Sequence, residues 1–241
     1  MNTTNFNKRK GWNLIHDDIE NPNDLDRTLF LLLKTSELME FFFKVSAPDN
    51  LEIHIDTSRT TPLNWANEPK ISLSCQPTLW SQLIYQFAHE YCHRLIDSPF
   101  PSLNSLWFEE AICESSSRFF LKKMGITNLK DKILQKYKFN FIEYSNSLYN
   151  SNMETPWSTN QIFLNNDILK RLNIETTAPK RPYLNFLSTK ITPIFSAHPD
   201  LWANVKDIRY FSNENSIQEN IEIWQKRNSN IKEILTLLKS K

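Results

Sequence analysis

The segment TLWSQLIYQFAHEYCHRLI, residues 78–96, constrains the fold more than any other part of the chain. It contains no glycine or proline, and Pro77 before it suits the first turn of a helix. The sequence therefore predicts a helix that buries one face in a core and carries His89, Glu90 and His93 in its second half. Four apolar residues at helical spacing support this prediction: Leu79, Leu83, Phe87 and Leu95.

Helical spacing gives the two histidines of this segment a common direction. At 3.6 residues per turn, positions 89 and 93 differ by about 40° around the axis, so both imidazoles project from one face and can share one metal ion. Glu90 lies about 60° from His93, where a carboxylate stands beside such an ion and can act as a general base. A lone helical histidine is more often a hydrogen-bonded core residue, but the complete motif favours a metal site.

The neighbouring sequence indicates both helices and strands. Residues 27–45 are dense in helix formers, whereas residues 51–58 and 70–74 alternate apolar and polar side chains as half-buried strands do. Prolines within residues 60–69 indicate a loop between these strands, and prolines within residues 98–104 indicate a break after the first histidine-bearing helix.

A second helix is predicted after that break, over Leu106–Met124, with Gly125 as the residue that ends it. Beyond it, amphipathic aromatic-rich stretches alternate with polar breaks such as residues 151–159, which indicates a helical second half. We therefore predict an α+β fold. Residues 1–125 hold a small sheet and both motif helices, and residues 126–241 form an all-helical subdomain.

Charge and cysteine content bear on the partners and the compartment. With 28 basic and 27 acidic residues the net charge is +1, which favours neither nucleic acid nor an anionic membrane. The polar N-terminus lacks the apolar run of a signal peptide. Cys75, Cys92 and Cys113 cannot all pair with one another and match no zinc or redox motif. We predict a cytoplasmic protein with reduced thiols that binds neither nucleic acid nor membrane, and leave its oligomeric state open.

The segment LWFEEAICESSSRFF, which begins at Leu106, resembles the glutamate helix of the gluzincin metallopeptidases, the clan of thermolysin and the aminopeptidases. Aminopeptidase members carry a W-L-x-E-G or W-L-x-E-A pattern on that helix, and residues 107–111 fall in step with it. The resemblance implies one Zn²⁺ ion per chain, held by His89, His93 and Glu110. It also implies peptide-bond hydrolysis and a peptide or protein substrate.

This resemblance, which covers about residues 70–124, carries three further expectations. Glu90 takes a proton from the attacking water and delivers it to the leaving amine. Glu114, one turn after the ligand glutamate, is placed to hydrogen-bond His89 and so fix its tautomer. The strand at residues 70–74 stands where the family keeps an edge strand that pairs with extended substrate.

The choice of ligand between two adjacent glutamates depends on helix register. Glu109 and Glu110 point about 100° apart, so we expect only one of them to face the histidines. The register after Trp107 and the small Ala111 favour Glu110. Glu109 shares its face with Cys113 and suits the edge of a core, so its replacement by Gln is expected to leave zinc binding nearly unchanged.

The group that stabilises the transition state is left open. The family takes it from a Tyr or His of a later segment, and five residues qualify: Tyr144, Tyr149, Tyr183, His198 and Tyr210. The pair Lys180 and Arg181 is interpreted as ordinary solvated charge.

Two alternatives to a peptidase remain. One is a catalytically silent, gluzincin-derived zinc-binding protein that acts as a peptide or protein interaction module. The other is a helical interaction protein in which the motif is a coincidence. Substrate identity and the choice between internal and terminal cleavage also stay open.

Overall fold

The computed structural model of the chain describes residues 1–17, 19, 21–97, 105–150, 162, 165–178, 180–228, 234 and 236. The breaks expected at residues 98–104 and 151–159 lie outside the described residues. The described part combines a five-stranded sheet with eight α-helices, which confirms the predicted α+β class. Among these residues, no helix has the length and apolar character that crossing a membrane requires.

The sheet is mixed, with a parallel centre and an antiparallel strand at each edge. In spatial order its strands are β1, β2, β3, β5 and β4, of which β2, β3 and β5 run parallel. The strands are β1 (Asn2–Asn5), β2 (Trp12–His16), β3 (Leu51–Ile55), β4 (Leu63–Trp65) and β5 (Lys70–Leu73).

The sheet is larger than the two strands predicted. β4 lies inside the segment predicted as a loop, because three residues between its prolines pair with β5. β1 and β2 come from the polar N-terminus. In β2, Trp12 and Leu14 are fully buried, whereas Asn13 and Ile15 are half-buried. Gly11 joins these strands at φ +69°, and a side chain there would collide with Asn50.

Helix α2 packs against β4 and β5, and helices make up the second half of the described chain. They are α1 (Pro22–Phe43), α2 (Trp80–Ile96), α3 (Leu106–Ile126), α4 (Lys132–Asn150), α5 (Asn166–Glu175), α6 (Pro182–Ala197), α7 (Trp202–Val205) and α8 (Ile217–Arg227). Short 3₁₀ helices flank α7 at Pro199–Leu201 and Lys206–Tyr210. From residue 126 onward the described residues contain helices and no strand, as predicted for the C-terminal part.

Helix α3 is the centre of the molecule, since it packs against α2, α4 and α6. Buried serines on α3 donate to backbone carbonyls, and Ser116 Oγ reaches the carbonyl of Ala88 in α2 at 3.3 Å. Small side chains at this crossing let α2 and α3 approach closely. Only four residues of α3 are not buried: Leu106, Lys122, Lys123 and Ile126.

Gly125 does not end α3 as predicted, since the helix continues to Ile126. A Cβ at position 125 would lie 2.5 Å from Cγ1 of Ile142 and 3.1 Å from the carbonyl oxygen of Lys138, both on α4. The glycine is therefore needed for the close approach of α3 and α4 rather than for a left-handed cap.

Aromatic side chains of the C-terminal helices complete the core that begins under the sheet. Trp202 stacks on Phe43 of α1 at 5.4 Å and on Phe195 of α6 at 4.0 Å between ring centroids. Trp224 of α8 meets Phe108 of α3 edge-on at 5.8 Å. These contacts hold α3, and with it the glutamates on its first turns, in a fixed position.

Candidate metal centre

The second half of α2 presents His89 and His93 on one face, one turn apart, with 5.2 Å between ring centroids. Both rings are nearly buried. Glu110 approaches from the first turns of α3: its Oε2 lies 3.3 Å from Nε2 of His89, and its Oε1 lies 3.3 Å from Nε2 of His93. One ligand atom from each of the three residues lies within 4.8 Å of the other two, so this group could bind a metal ion.

Glu114 stands behind His89, one turn below Glu110. Its Oε2 lies 3.7 Å from Nδ1 of His89, on the side of the ring away from Glu110. The hydroxyl of Tyr85 donates to Glu114, and Arg118 donates through Nε at 3.2 Å and Nη2 at 3.1 Å. Glu114 is thus held by the half-buried Tyr85 and the buried Arg118, and it in turn orients the imidazole.

Glu109 orients the ring of His93 as Glu114 orients that of His89. The expectation that only one of the adjacent glutamates faces the histidines is therefore wrong. Its Oε1 lies 2.7 Å from Nδ1 of His93, while Glu110 meets Nε2 of the same ring. The two carboxylates therefore lie on opposite sides of one imidazole. Glu109 and Glu110 point about 100° apart on α3, yet both contact His93, because they meet different nitrogens of its ring.

The charges of the cluster favour imidazolium in the ion-free protein. Burial lowers the pKa of His89, but the carboxylates of Glu110 and Glu114, one near each ring nitrogen, outweigh burial and raise it to about 9. Burial acts likewise on His93, and Glu110 and Glu109 hold its pKa well above the usual value. Burial would raise the pKa of Glu110, yet the charge of His93 and hydrogen bonds from both histidines hold it well below its usual range.

Glu90 lies beside the cluster rather than in it. The residue is 5% exposed, and the backbone of Asn64 in β4 is near enough to act on its pKa. Burial raises the pKa of Glu90 although the neighbouring histidine charges oppose the shift. A buried carboxylate with a raised pKa, next to a group that could hold a metal ion, is suited to accept and return a proton.

A cavity of about 370 Å³ opens onto these residues. Leu63 and Asn64 of β4 line one part of it, and Thr176, Thr177 and Arg181, around the segment between α5 and α6, line another. The strand beside the cavity is therefore β4. The expectation that residues 70–74 form the edge strand is wrong, because β5 is covered on both sides by β3 and β4.

Arg181 is not the solvated charge that its sequence context suggested. Its Nη1 lies 2.5 Å from Oε2 of Glu110, and its Nε donates to the carbonyl of Ala178 at 3.0 Å. No local pattern marks this residue, since it meets Glu110 across 71 positions of the chain. Only the packing of α6 against α3 brings it to the cavity.

Among the described residues, none of the five candidates for the transition-state group lines the cavity. Tyr144 packs edge-on against Tyr85, and Tyr149 lies under the guanidinium of Arg118. The others lie near α6 or beyond it: Tyr183 bonded to Arg171, His198 at the C-cap of α6, and Tyr210 beside Arg209 and Arg227.

No protein-family model matches the chain, and no curated protein or solved structure matches it either. The chemistry of the site therefore rests on its geometry and on the residues of its motif.

Proposed function

We propose that the protein is a zinc-dependent metallopeptidase in which Glu90 activates a water molecule for attack on a peptide bond. The observation that carries this proposal is the convergence of His89, His93 and Glu110 at a cavity, with a further carboxylate behind each imidazole. An ordinary pair of core histidines requires neither the cavity nor the surrounding carboxylates.

The donor set supports zinc as the metal, with one ion per chain. Two imidazole nitrogens and one carboxylate oxygen are the three-ligand set of catalytic zinc sites, which keep a fourth position open. A carboxylate near Nδ1 of each imidazole holds the ring orientation and directs Nε2 toward Glu110. Zinc in such a site lowers the pKa of a water molecule toward about 7 and polarises a carbonyl group.

Glu90 supplies the proton transfer. Its buried carboxylate takes the proton of the attacking water, and burial, which raises the pKa of Glu90, favours the protonated form in this exchange. It then delivers the proton to the leaving amine. Glu90 and Asn64 of β4 line the same cavity, so the carboxylate lies where a substrate along β4 would bind.

The edge strand supports an extended peptide or protein as the substrate. β4 pairs with β5 along one side only, so the backbone groups of its other side can pair with a bound chain. Oδ1 of Asn64 is buried beside the cavity without a partner among the described residues. An amide N–H of the substrate would satisfy this acceptor.

The cysteines support a reducing compartment, and we propose the cytoplasm. Cys75, Cys92 and Cys113 are free and buried, which disulfide-forming compartments do not favour. We also propose that the protein binds neither nucleic acid nor membrane.

A second candidate is a catalytically silent zinc-binding protein that acts as a peptide or protein interaction module. One observation favours it: among the described residues, no Tyr or His candidate for the transition-state group borders the cavity. Peptide cleavage separates the two candidates. Zinc content separates both from an interaction protein in which the motif is a coincidence.

Metal analysis and proteomic cleavage profiling of the same preparations test the proposal. Wild-type protein should carry about one zinc per chain, and His89→Ala or His93→Ala should abolish stoichiometric zinc. Glu90→Gln keeps the ligands, so zinc should stay while cleavage falls by at least about a hundredfold. Glu143→Gln, on the exposed side of α4, is the matched control and should change neither. Full zinc in either histidine variant, or undiminished cleavage by Glu90→Gln, contradicts the proposal.

A further inference from the structure

Arg181 places a permanent positive charge at the edge of the proposed metal centre. The residue directly precedes α6, and its guanidinium bonds the same Oε2 of Glu110 that lies 3.3 Å from Nε2 of His89. The side chain is 28% exposed and lines the cavity. Its Nη2 has no partner among the described residues, so one end of the guanidinium fork can donate to a ligand in the cavity.

Arg181 and Glu90 reach the cavity from different walls. Glu90 reaches it from α2 beside Asn64 of β4, whereas Arg181 is hydrogen-bonded to Glu110 and to the carbonyl of Ala178 between α5 and α6. A substrate carbonyl between these walls would have a base on one side and a cation on the other. Two fixed hydrogen bonds orient the guanidinium before any substrate arrives.

We propose that Arg181 is the residue that stabilises the oxyanion of the transition state, the role for which the sequence offered five Tyr and His candidates. This inference rests on the proposed peptidase function. Attack of water forms a bond to the carbonyl carbon and moves the carbonyl π electrons onto oxygen. Arg181 donates hydrogen bonds to that oxygen and keeps its own proton. Glu90 holds the proton lost by water and passes it to nitrogen as the C–N bond breaks.

Arginine suits this role because its guanidinium stays charged at all physiological pH values and presents several donors in one plane. It cannot serve as an acid, so the proton of the leaving amine still comes from Glu90. Loss of one such donor typically costs about a hundred- to a thousandfold in kcat. A residue that only supports Glu110 would change zinc affinity instead.

The test compares Arg181→Gln and Arg181→Lys with wild type in three measurements: zinc affinity, kcat and KM on a cleaved peptide, and affinity for a phosphonate peptide. The phosphonate carries a tetrahedral anion in place of the scissile group, and the corresponding product peptide serves as ligand control. Arg171→Gln is the matched variant, because Arg171 contacts Tyr183 and lies away from the cavity.

For zinc-loaded Arg181→Gln we expect kcat and phosphonate affinity to fall by about a hundredfold or more, with KM and product affinity within about threefold. Zinc affinity should fall by less than kcat, because Arg181 also bonds the ligand Glu110. Arg181→Lys keeps the charge without the fork and should recover part of kcat. Arg171→Gln should match wild type. Two results would overturn the role of Arg181 alone. One is a kcat of Arg181→Gln within about threefold of wild type, and the other is a loss of zinc affinity equal to the loss of kcat. Zinc-loaded wild type that cleaves no peptide overturns the proposed function and this role with it.

Discussion

Replacing Glu109 by Gln tests whether the carboxylate behind His93 strengthens metal binding. Gln keeps an acceptor oxygen for Nδ1 of His93 but removes the negative charge that lies 2.7 Å from that nitrogen. Loss of such a partner typically weakens metal binding by about ten- to a hundredfold, or about 1.4 to 2.7 kcal/mol. Because this contact is short and the carboxylate is 6% exposed, we expect a loss in the upper part of that range.

Glu114→Gln should act differently, although Glu114 occupies the corresponding place behind His89. Its Oε2 is 3.7 Å from Nδ1, and its charge is already balanced by the buried Arg118. We therefore expect a smaller loss of zinc affinity than for Glu109→Gln. The replacement also leaves Arg118 as a buried cation without its carboxylate, which costs about 3 to 5 kcal/mol of unfolding free energy.

Competition with a chromogenic chelator measures zinc affinity, and denaturant unfolding of zinc-free protein measures stability, on the same variants. Glu110→Gln should show the largest loss of zinc affinity because it removes a ligand. Glu143→Gln, at an exposed position, should show the zinc affinity and stability of wild type. The reasoning is refuted if Glu109→Gln keeps zinc affinity within twofold of wild type. It is also refuted if Glu114→Gln loses more affinity than Glu109→Gln without losing stability.

Three further predictions concern pH and packing. The pKa of His89 is raised to about 9 from 6.5, so its protonation stabilises the ion-free fold fully below about pH 6.5, and this contribution disappears as pH rises through about 9. Zinc must displace the protons of both His89 and His93, so about two protons should be released per zinc bound at pH 7. Calorimetry in buffers of different ionisation enthalpy measures this number. Zinc binding without proton release would contradict these protonation states. Gly125→Ala should lower the unfolding free energy by about 1 to 3 kcal/mol because its Cβ meets Ile142 and the carbonyl of Lys138, and Ile142→Ala should relieve part of that loss in the double variant. Unchanged stability of Gly125→Ala in denaturant unfolding would mean that α4 moves away at little cost.

Local periodicity was sufficient for the parts of the site that belong to one element. The spacing of His89 and His93 sets their common face in any regular helix, and the apolar positions of residues 78–96 set which side of that helix is buried. Alternation in residues 51–58 and 70–74 likewise identified two strands, β3 and β5. Only β3 is half-buried as predicted, since β5 buries the consecutive residues Ile71, Ser72 and Leu73. These features depend on neighbours a few positions away, which the sequence displays directly.

Tertiary packing decided every contact made between elements. The crossing of α2 and α3 sets which atoms meet, so Glu109 reaches Nδ1 of His93 even though helix geometry separates it from Glu110. β4 becomes the strand beside the cavity only because β5 offers it a free edge, since three residues carry too short a pattern to predict a strand. Arg181 joins Glu110 because α6 packs on α3, and Gly125 serves α4 rather than the end of its own helix. Contacts of this kind join residues distant in the chain through the angles and separations of whole elements, which no local pattern of residue types encodes.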